Sequence, residues 1–388
     1  MKISSNGGTA TIPVLMTIEG GGQTSMDVSY MENWNLVGLP LEVEDASYNY
    51  LFPESIDGTL YSFNNGYNSE SELIAGEGYW LRFVNSGIVT ITGSSFSELT
   101  LSLSADWNLI SGISEELSSY SVSDPNNIIV PNTLYSFSDG YSISESLTPG
   151  QGYWIRTYEA GEITLSSGAS AKTSPMNYSL KEKANTLTIN GTELYFGIDI
   201  PKEEMLSYTL PPKPPSPARD IRFSGDTKLC STDECVIEVM NDGNPLTLEF
   251  DIKDSEGWEL VEESGNVLTC SGVQELKLRS ESETFILRKS TSSQIPTEFV
   301  LLPAYPNPFN PVTRITYNLP EDSYVSVAIY NLIGQKVADL VHEQKTIGFH
   351  SVYWNGKNNH GETIVSGLYF YRMETEIFSK TKKLLFVK

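Results

Sequence analysis

A chain of 388 residues with 49 acidic and 25 basic side chains carries a formal charge of −24. That balance argues against nucleic acid and anionic membrane as partners. The length implies about two to four domains, the abundance of Tyr, Ser, Thr, Asn and Gly favours strands joined by tight turns, and no apolar run is long enough for a membrane-spanning helix.

The opening residues, MKISSNGGTATIPVLMTIEGGG, lack the unbroken apolar core of a secretory signal, because Ser, Asn and Gly interrupt at once and Pro13 lies within Ile12 to Ile18. They read as a strand preceded by a turn at Gly7 and Gly8. Residues 1–22 resemble the last hairpin of an immunoglobulin-like domain whose other strands are absent. A lone hairpin is marginal in water, so the expectation is a truncated domain and a chain that is the C-terminal part of something longer.

An internal duplication follows. WNLVG at Trp34 returns as WNLIS at Trp107, TLYSFNNGY at Thr59 as TLYSFSDGY at Thr133, and GEGYWLR at Gly76 as GQGYWIR at Gly150. Two copies are fewer than a solenoid needs, so 23–94 and 95–170 are expected to be two small β units packed on each other. Asn65-Gly66 and Asp139-Gly140 suit two-residue type I′ turns. The glycine pairs before Tyr-Trp (Gly76 and Gly78, Gly150 and Gly152) suit a tight bend or bulge at the start of a strand. From Glu32 to Gly168 there are 18 acids and two bases, Arg82 and Arg156, at the same place in each copy. Each suits a carboxylate partner or stacking on the neighbouring aromatic hairpin.

Residues 176–290 read as a middle β-sandwich, with Asn-Gly and Asp-Gly turns at Asn190-Gly191 and Asp242-Gly243. The proline-rich LPPKPPSPARD between them is either a linker or a crossover, and it is expected to cross from one sheet to the other because neither flank alone supplies enough strands for a sandwich. Cys230, Cys235 and Cys270 are too few for a zinc site. Cys230 with Cys235 would close a small loop, and Cys235 with Cys270 would staple two strands; both pairings stay open.

A polar join at 291–302 leads to a final module, 303–388, whose charge differs from the rest. From Leu301 to Lys388 there are seven acids and nine bases. In YPNPFNPVTRITYNLP, Pro306, Pro308 and Pro311 are expected to hold the chain extended at a sandwich edge, where proline is tolerated. Asn307 and Asn310 offer carboxamides in place of backbone partners. Ile315, Tyr317 and Leu319 then alternate inward, Val325, Val327 and Ile329 form the next strand, and others lie around His350 to Trp354, Leu368 to Met373 and Lys383 to Val387.

YPNPFNP, IYNLIGQKV, GFHSVYWNGKNNHGE, SGLYFYR and KTKKLLFVK, in this order at the chain end, resemble the type A C-terminal sorting domain of the type IX (Por) secretion system. That family is in turn similar to the immunoglobulin-like domain of the flagellar hook-capping protein. The resemblance implies export across the outer membrane of Bacteroidota-like bacteria through the periplasm, and removal of the domain outside by a sortase, with a cut in or near the join. It also implies attachment to surface lipopolysaccharide or release. The matching positions are Pro306, Asn307 and Pro308, then Gly367 and Tyr369, then Lys382, Lys383 and Lys388.

The three histidines, His342, His350 and His360, all lie in the final module. There is no HExxH, GxSxG, phosphate-binding loop or EF-hand pattern. No catalytic, cofactor or metal residue is assigned, and among so many acids any carboxylate pair is background. Trp80 and Trp154 are candidates for a sugar-stacking surface, weighed against burial in a β core; the same apolar context in both copies favours the core. The fold class is therefore all-β: duplicated small units, a middle sandwich and a C-terminal Ig-like sandwich. The expected function is that of a secreted or cell-surface protein with stalk or interaction modules upstream of its export address. The alternatives are a carbohydrate-binding or adhesive module, and a non-catalytic appendage of a secreted hydrolase whose catalytic domain lies before Met1.

Overall fold

A computed structural model describes residues 2–5, 8–11, 22–168, 180–240, 245–253, 257–270, 273–278, 283–290 and 296–387. The expected strand at Ile12 to Ile18, the Asp242-Gly243 turn and Lys388 lie outside them. The chain is all-β as expected, built almost wholly from antiparallel pairs. It divides into two compact units, one of Met1–Ser138 with Ser142–Ser174, the other of Asp139–Tyr141 with Pro175–Lys388. Near the N-terminus, Lys2–Ser5 pairs with Gly8–Thr11.

Each repeat is a two-stranded sheet over a four-stranded one. In the first copy Thr24–Tyr30 pairs with Gly87–Gly93, and Asn33–Gly38, Gly78–Phe83, Tyr61–Phe63 and Tyr67–Ser69 make the larger sheet. The second copy repeats this order. The Asn of WNL explains the corner between the sheets. Asn35 accepts from Met31 N at 2.8 Å and donates to Met31 O at 2.8 Å; Asn108 does the same to Ser104 at 2.8 and 2.9 Å.

The hairpins differ from expectation. Phe63 pairs with Tyr67, which leaves a three-residue loop, Asn64 to Gly66, closed by Asn64 N donating to Gly66 O at 3.0 Å. Asn65 and Asp139 do take positive φ, 54° and 55°, but within three-residue connections, the next most favoured length.

The two copies interlock through related contacts. Gly38 N donates to Gly150 O at 3.0 Å, and Ser111 N to Gly76 O at 2.9 Å. The glycines inside the strands serve this approach rather than a bulge. A Cβ on Gly78 would sit 2.5 Å from Ile110 O, and one on Gly152 2.8 Å from Val37 O. Across the junction Phe63 meets Trp154 edge-on at 4.8 Å, and Phe137 meets Trp80 at 4.7 Å.

The middle sandwich packs two five-stranded sheets. One holds Leu229–Cys230, Thr192–Phe196, Asn185–Ile189, Leu246–Asp251 and Val273–Leu278; the other holds Asp220–Phe223, Glu234–Met240, Thr284–Lys289, Trp258–Glu262 and Val267–Cys270. Ile189 pairs with Thr192, so Asn190 and Gly191, at φ 46° and 87°, form the expected two-residue turn. The proline-rich segment does cross between the sheets, from Thr192–Phe196 to Asp220–Phe223. Fully buried Arg222 pins it, with Nη1 donating to Pro211 O at 2.8 Å while Nε and Nη2 grip Asp220 at 2.5 and 2.7 Å. Cys230 and Cys235 form a disulfide that links the two sheets. Cys270 is a buried thiol, and burial pushes it up to about 12, which keeps it inert.

The last module is a sandwich of three strands on four. Val300–Leu301, Thr313–Leu319 and Gly348–Trp354 face Lys336–Lys345, Ser323–Tyr330, Gly367–Glu374 and Ser379–Phe386. Ile315, Tyr317 and Leu319 point into the core with Val325, Val327 and Ile329, as the alternation predicts. Two strands were not foreseen. Lys336–Lys345 is the longer, and register shifts at Val327/Ala328 and Ile329/Tyr330 break its period of two, so that Ala338 and Val341 are its buried members. Val300–Leu301 lies in the expected join, yet it pairs with Tyr317 and Asn318, and Leu301 is buried in the module's core. Tyr371 fixes this start: its fully buried hydroxyl accepts from Ala304 N at 2.9 Å and donates to Leu302 O at 2.8 Å.

Three expectations can be measured. Trp80→Ala or Trp154→Ala removes a ring packed by both copies, and should lower stability by about 3–5 kcal/mol in chemical denaturation. Tyr371→Phe strands two backbone groups and should cost about 1–3 kcal/mol. Burial also pushes the Tyr371 phenol up to about 12. A folded value above the unfolded one, near 10, stabilises fully below that lower value and is lost as pH rises through the higher one. Urea midpoints should therefore hold up to pH about 10 and fall beyond it, less steeply in Tyr371→Phe.

Candidate functional site

Two places carry the singled-out residues. In the repeats, Trp80 and Trp154 are fully buried. The stacking-surface expectation for them is therefore corrected: the rings are interior because each strand is covered by the hairpin of the other copy. Arg82 lies across from Trp34 with its guanidinium 5.9 Å from the ring centre, and Arg156 across from Trp107 at 5.6 Å. Their Nε atoms donate to Asn33 Oδ1 at 2.9 Å and Asp106 Oδ1 at 2.8 Å. Each cation thus sits on the tryptophan directly across its sheet rather than on the aromatic hairpin, and Arg156 also takes the expected carboxylate partner in Asp106. The tyrosines before the buried tryptophans are matched too. Tyr79 accepts from Ile74 N at 3.0 Å and donates to Glu77, while Tyr153 accepts from Thr148 N at 2.9 Å and donates to Gln151. These shared residues are occupied in closing turns and capping rings.

In the last module three motifs far apart in sequence become neighbours. Gly367–Glu374 pairs along its length with Ser379–Phe386: Gly367 with Phe386, Tyr369 with Leu384, Phe370 with Lys383 and Tyr371 with Lys382. Ser379–Phe386 is the edge of its sheet. Its open side is taken by the proline motif. Phe309 N donates to Leu385 O, and Val387 N to Phe309 O, both at 3.0 Å. Asn307 completes the ladder with its side chain, accepting from Leu385 N at 2.8 Å and donating to Lys383 O at 3.2 Å.

Asn307 therefore acts as a substitute backbone, as its type and place suggested. Asn310 does not; its side chain has no hydrogen-bond partner among the described residues. Nor is the segment extended. It runs as bends, with cis peptide bonds before Pro306, Pro308 and Pro311. Pro306 and Pro308 are exposed on either side of Asn307. Phe309, buried between them and the core, was missed in sequence; it packs on Trp354 at 5.3 Å and Phe386 at 4.9 Å. Its signal was the one apolar residue inside a polar, proline-rich run.

Tyr369 is buried against Trp354 at 5.9 Å, and its hydroxyl donates to Val365 O at 2.9 Å. Lys382 and Lys383 point to opposite sides of their strand. Lys382 shares the side of buried Leu384 and Phe386 and is half-buried, and Lys383 is exposed. Beside Tyr369 a cleft of about 400 Å³ is lined by Asn358, Asn359 and His360. The carboxamides there are committed to the turn and to the Lys336–Lys345 strand: Asn358 Oδ1 accepts from His360 N at 3.0 Å and Glu362 N at 2.9 Å, and Asn359 Oδ1 from Asp339 N at 2.8 Å. No group of metal-ligating side chains occurs among the described residues, and no helix among them is long and apolar enough to cross a membrane, which leaves strands aside.

Residues 303–388 match the family described as the secretion system C-terminal sorting domain. No curated protein matches the chain. Among solved structures, the crystal structure of dimeric latent PorU from Porphyromonas gingivalis aligns with 95% of this chain and 30% of its own length, at 12% identity and a TM-score of 0.21. This chain spans less than a third of that protein, and the likeness is too slight to argue from. The family match and the convergence of its motifs on one sheet edge agree: residues 303–388 are a type IX secretion system C-terminal sorting domain, and the protein is exported to the cell surface or the extracellular space.

Proposed function

We propose that the chain is a non-catalytic surface or secreted protein whose upstream β modules act as stalk or interaction domains. The sorting domain engages the type IX machinery and is then removed by its sortase, with attachment to surface lipopolysaccharide or release as the two ends of that route. The observation that carries the export reading is the meeting of the proline motif, the Gly367–Glu374 strand and the lysine-bearing last strand at one closed edge. A folded shape, rather than a reactive group, is what such a site offers for recognition. The stalk reading draws support from the repeats, whose matched Trp, Tyr, Asn and Arg side chains all serve packing and turns.

Deleting 303–388 should leave the protein in the periplasm by cell fractionation; arrival at the surface or in the medium would end the export reading. Asn307→Ala removes both hydrogen bonds to the last strand. It should cost about 1–3 kcal/mol and speed amide exchange at Leu385, whereas Asn310→Ala should change neither.

A further inference from the structure

In a two-layer sandwich, alternate residues of each strand face away from the core. In Thr313–Leu319 that outward set is buried as well. Ile315, Tyr317 and Leu319 fill the module's core, but Arg314 and Thr316, which point the other way, are each only 3% exposed. Part of the cover is the preceding sandwich. Arg314 Nη1 pairs with the Asp251 carboxylate, and Nη2 donates to Ile252 O at 3.2 Å. The Tyr305 hydroxyl donates to Glu249 Oε2 at 3.3 Å. Tyr305 and Arg314 are themselves paired through their backbones, at 3.0 and 2.8 Å, so one rung of the module presents both contacts. On the other side, Glu249 and Asp251 alternate with buried Leu248 and Phe250, and so lie on the outer face of their sheet.

These three contacts are all polar. Arg314 Nε, Thr316 Oγ1 and Asn318 Oδ1 are buried without a hydrogen bond to any described residue. Unpaired buried polar atoms oppose burial, and polar contacts between domains behave like transient ones. The short join keeps the two faces at high effective concentration, which offsets that weakness. Lys253 Nζ lies 3.8 Å from Asp251, so the carboxylate keeps a cation when Arg314 departs.

We propose that the middle sandwich is a docking partner for the outer face of the sorting domain, with Arg314 and Asp251 as the latch. Undocking uncovers a sheet face with a free guanidinium. Any rival for that face has to bring a carboxylate to Arg314, so docking controls when an acidic partner reaches it. The docking is independent of whether the chain is exported and is tested in the purified full chain.

The test is labelling with an arginine-specific dicarbonyl, read peptide by peptide by mass spectrometry. Arg372, whose side chain is 42% exposed, is the open reference, and Arg222, fully buried where it grips Asp220 and Pro211 of the middle sandwich, reports that this sandwich stays folded. Arg314 should react at least about tenfold more slowly than Arg372 in the native chain. The pair Asp251→Ala with Glu249→Ala should raise the Arg314 rate by about tenfold, because the buried guanidinium is left without its carboxylate, and leave Arg222 protected. Arg314 reacting as fast as Arg372 in the native chain overturns the proposal. So does continued protection of Arg314 in the double variant. A joint rise of Arg314 and Arg222 also overturns it, because the contact would then hold the middle sandwich together instead of joining two separable bodies.

Discussion

The arrangement at the chain end depends on closing one strand edge. Ser379–Phe386 is the outermost strand of its sheet, and an open edge pairs readily with another molecule. Proline suits the neighbouring position because it has no donor to offer a further strand. Phe309 supplies two backbone bonds to this edge, and Asn307 supplies two more from its carboxamide. The same segment plugs the core through the Phe309 ring and ends at the Tyr305–Arg314 rung, where the module meets the middle sandwich. Edge protection, core packing and docking therefore share one short stretch of chain.

The repeats follow a related logic of mutual cover. A single copy would leave the ring of Trp80 or Trp154 short of an apolar neighbour, which the phenylalanine of the other copy provides. Glycine at 78 and 152 lets the backbones approach closely enough for this. Two copies thus suffice to bury their aromatics, with no need of a longer array. The middle sandwich instead relies on links across its sheets: a disulfide, and an arginine that holds the crossover segment. A disulfide suits a protein that passes through an oxidising compartment.

The sequence by itself determined what rests on local pattern. The fold class, the duplication, the Asn190-Gly191 turn and the inward alternation of Ile315, Tyr317 and Leu319 were legible because period and turn chemistry are encoded within a few residues. The sorting domain was legible from the order of its motifs. Where local pattern was disturbed, reading failed: bulges hid Lys336–Lys345, and one extra loop residue changed the hairpins at Asn65 and Asp139. Only the tertiary structure decided which surfaces meet. That Phe63 lies on Trp154, that Asn307 completes the last strand and that Arg314 reaches Asp251 are facts about residues 63 to 91 positions apart. Their pairing is set by how sheets stack and which edges remain open, and no short stretch of sequence contains that information.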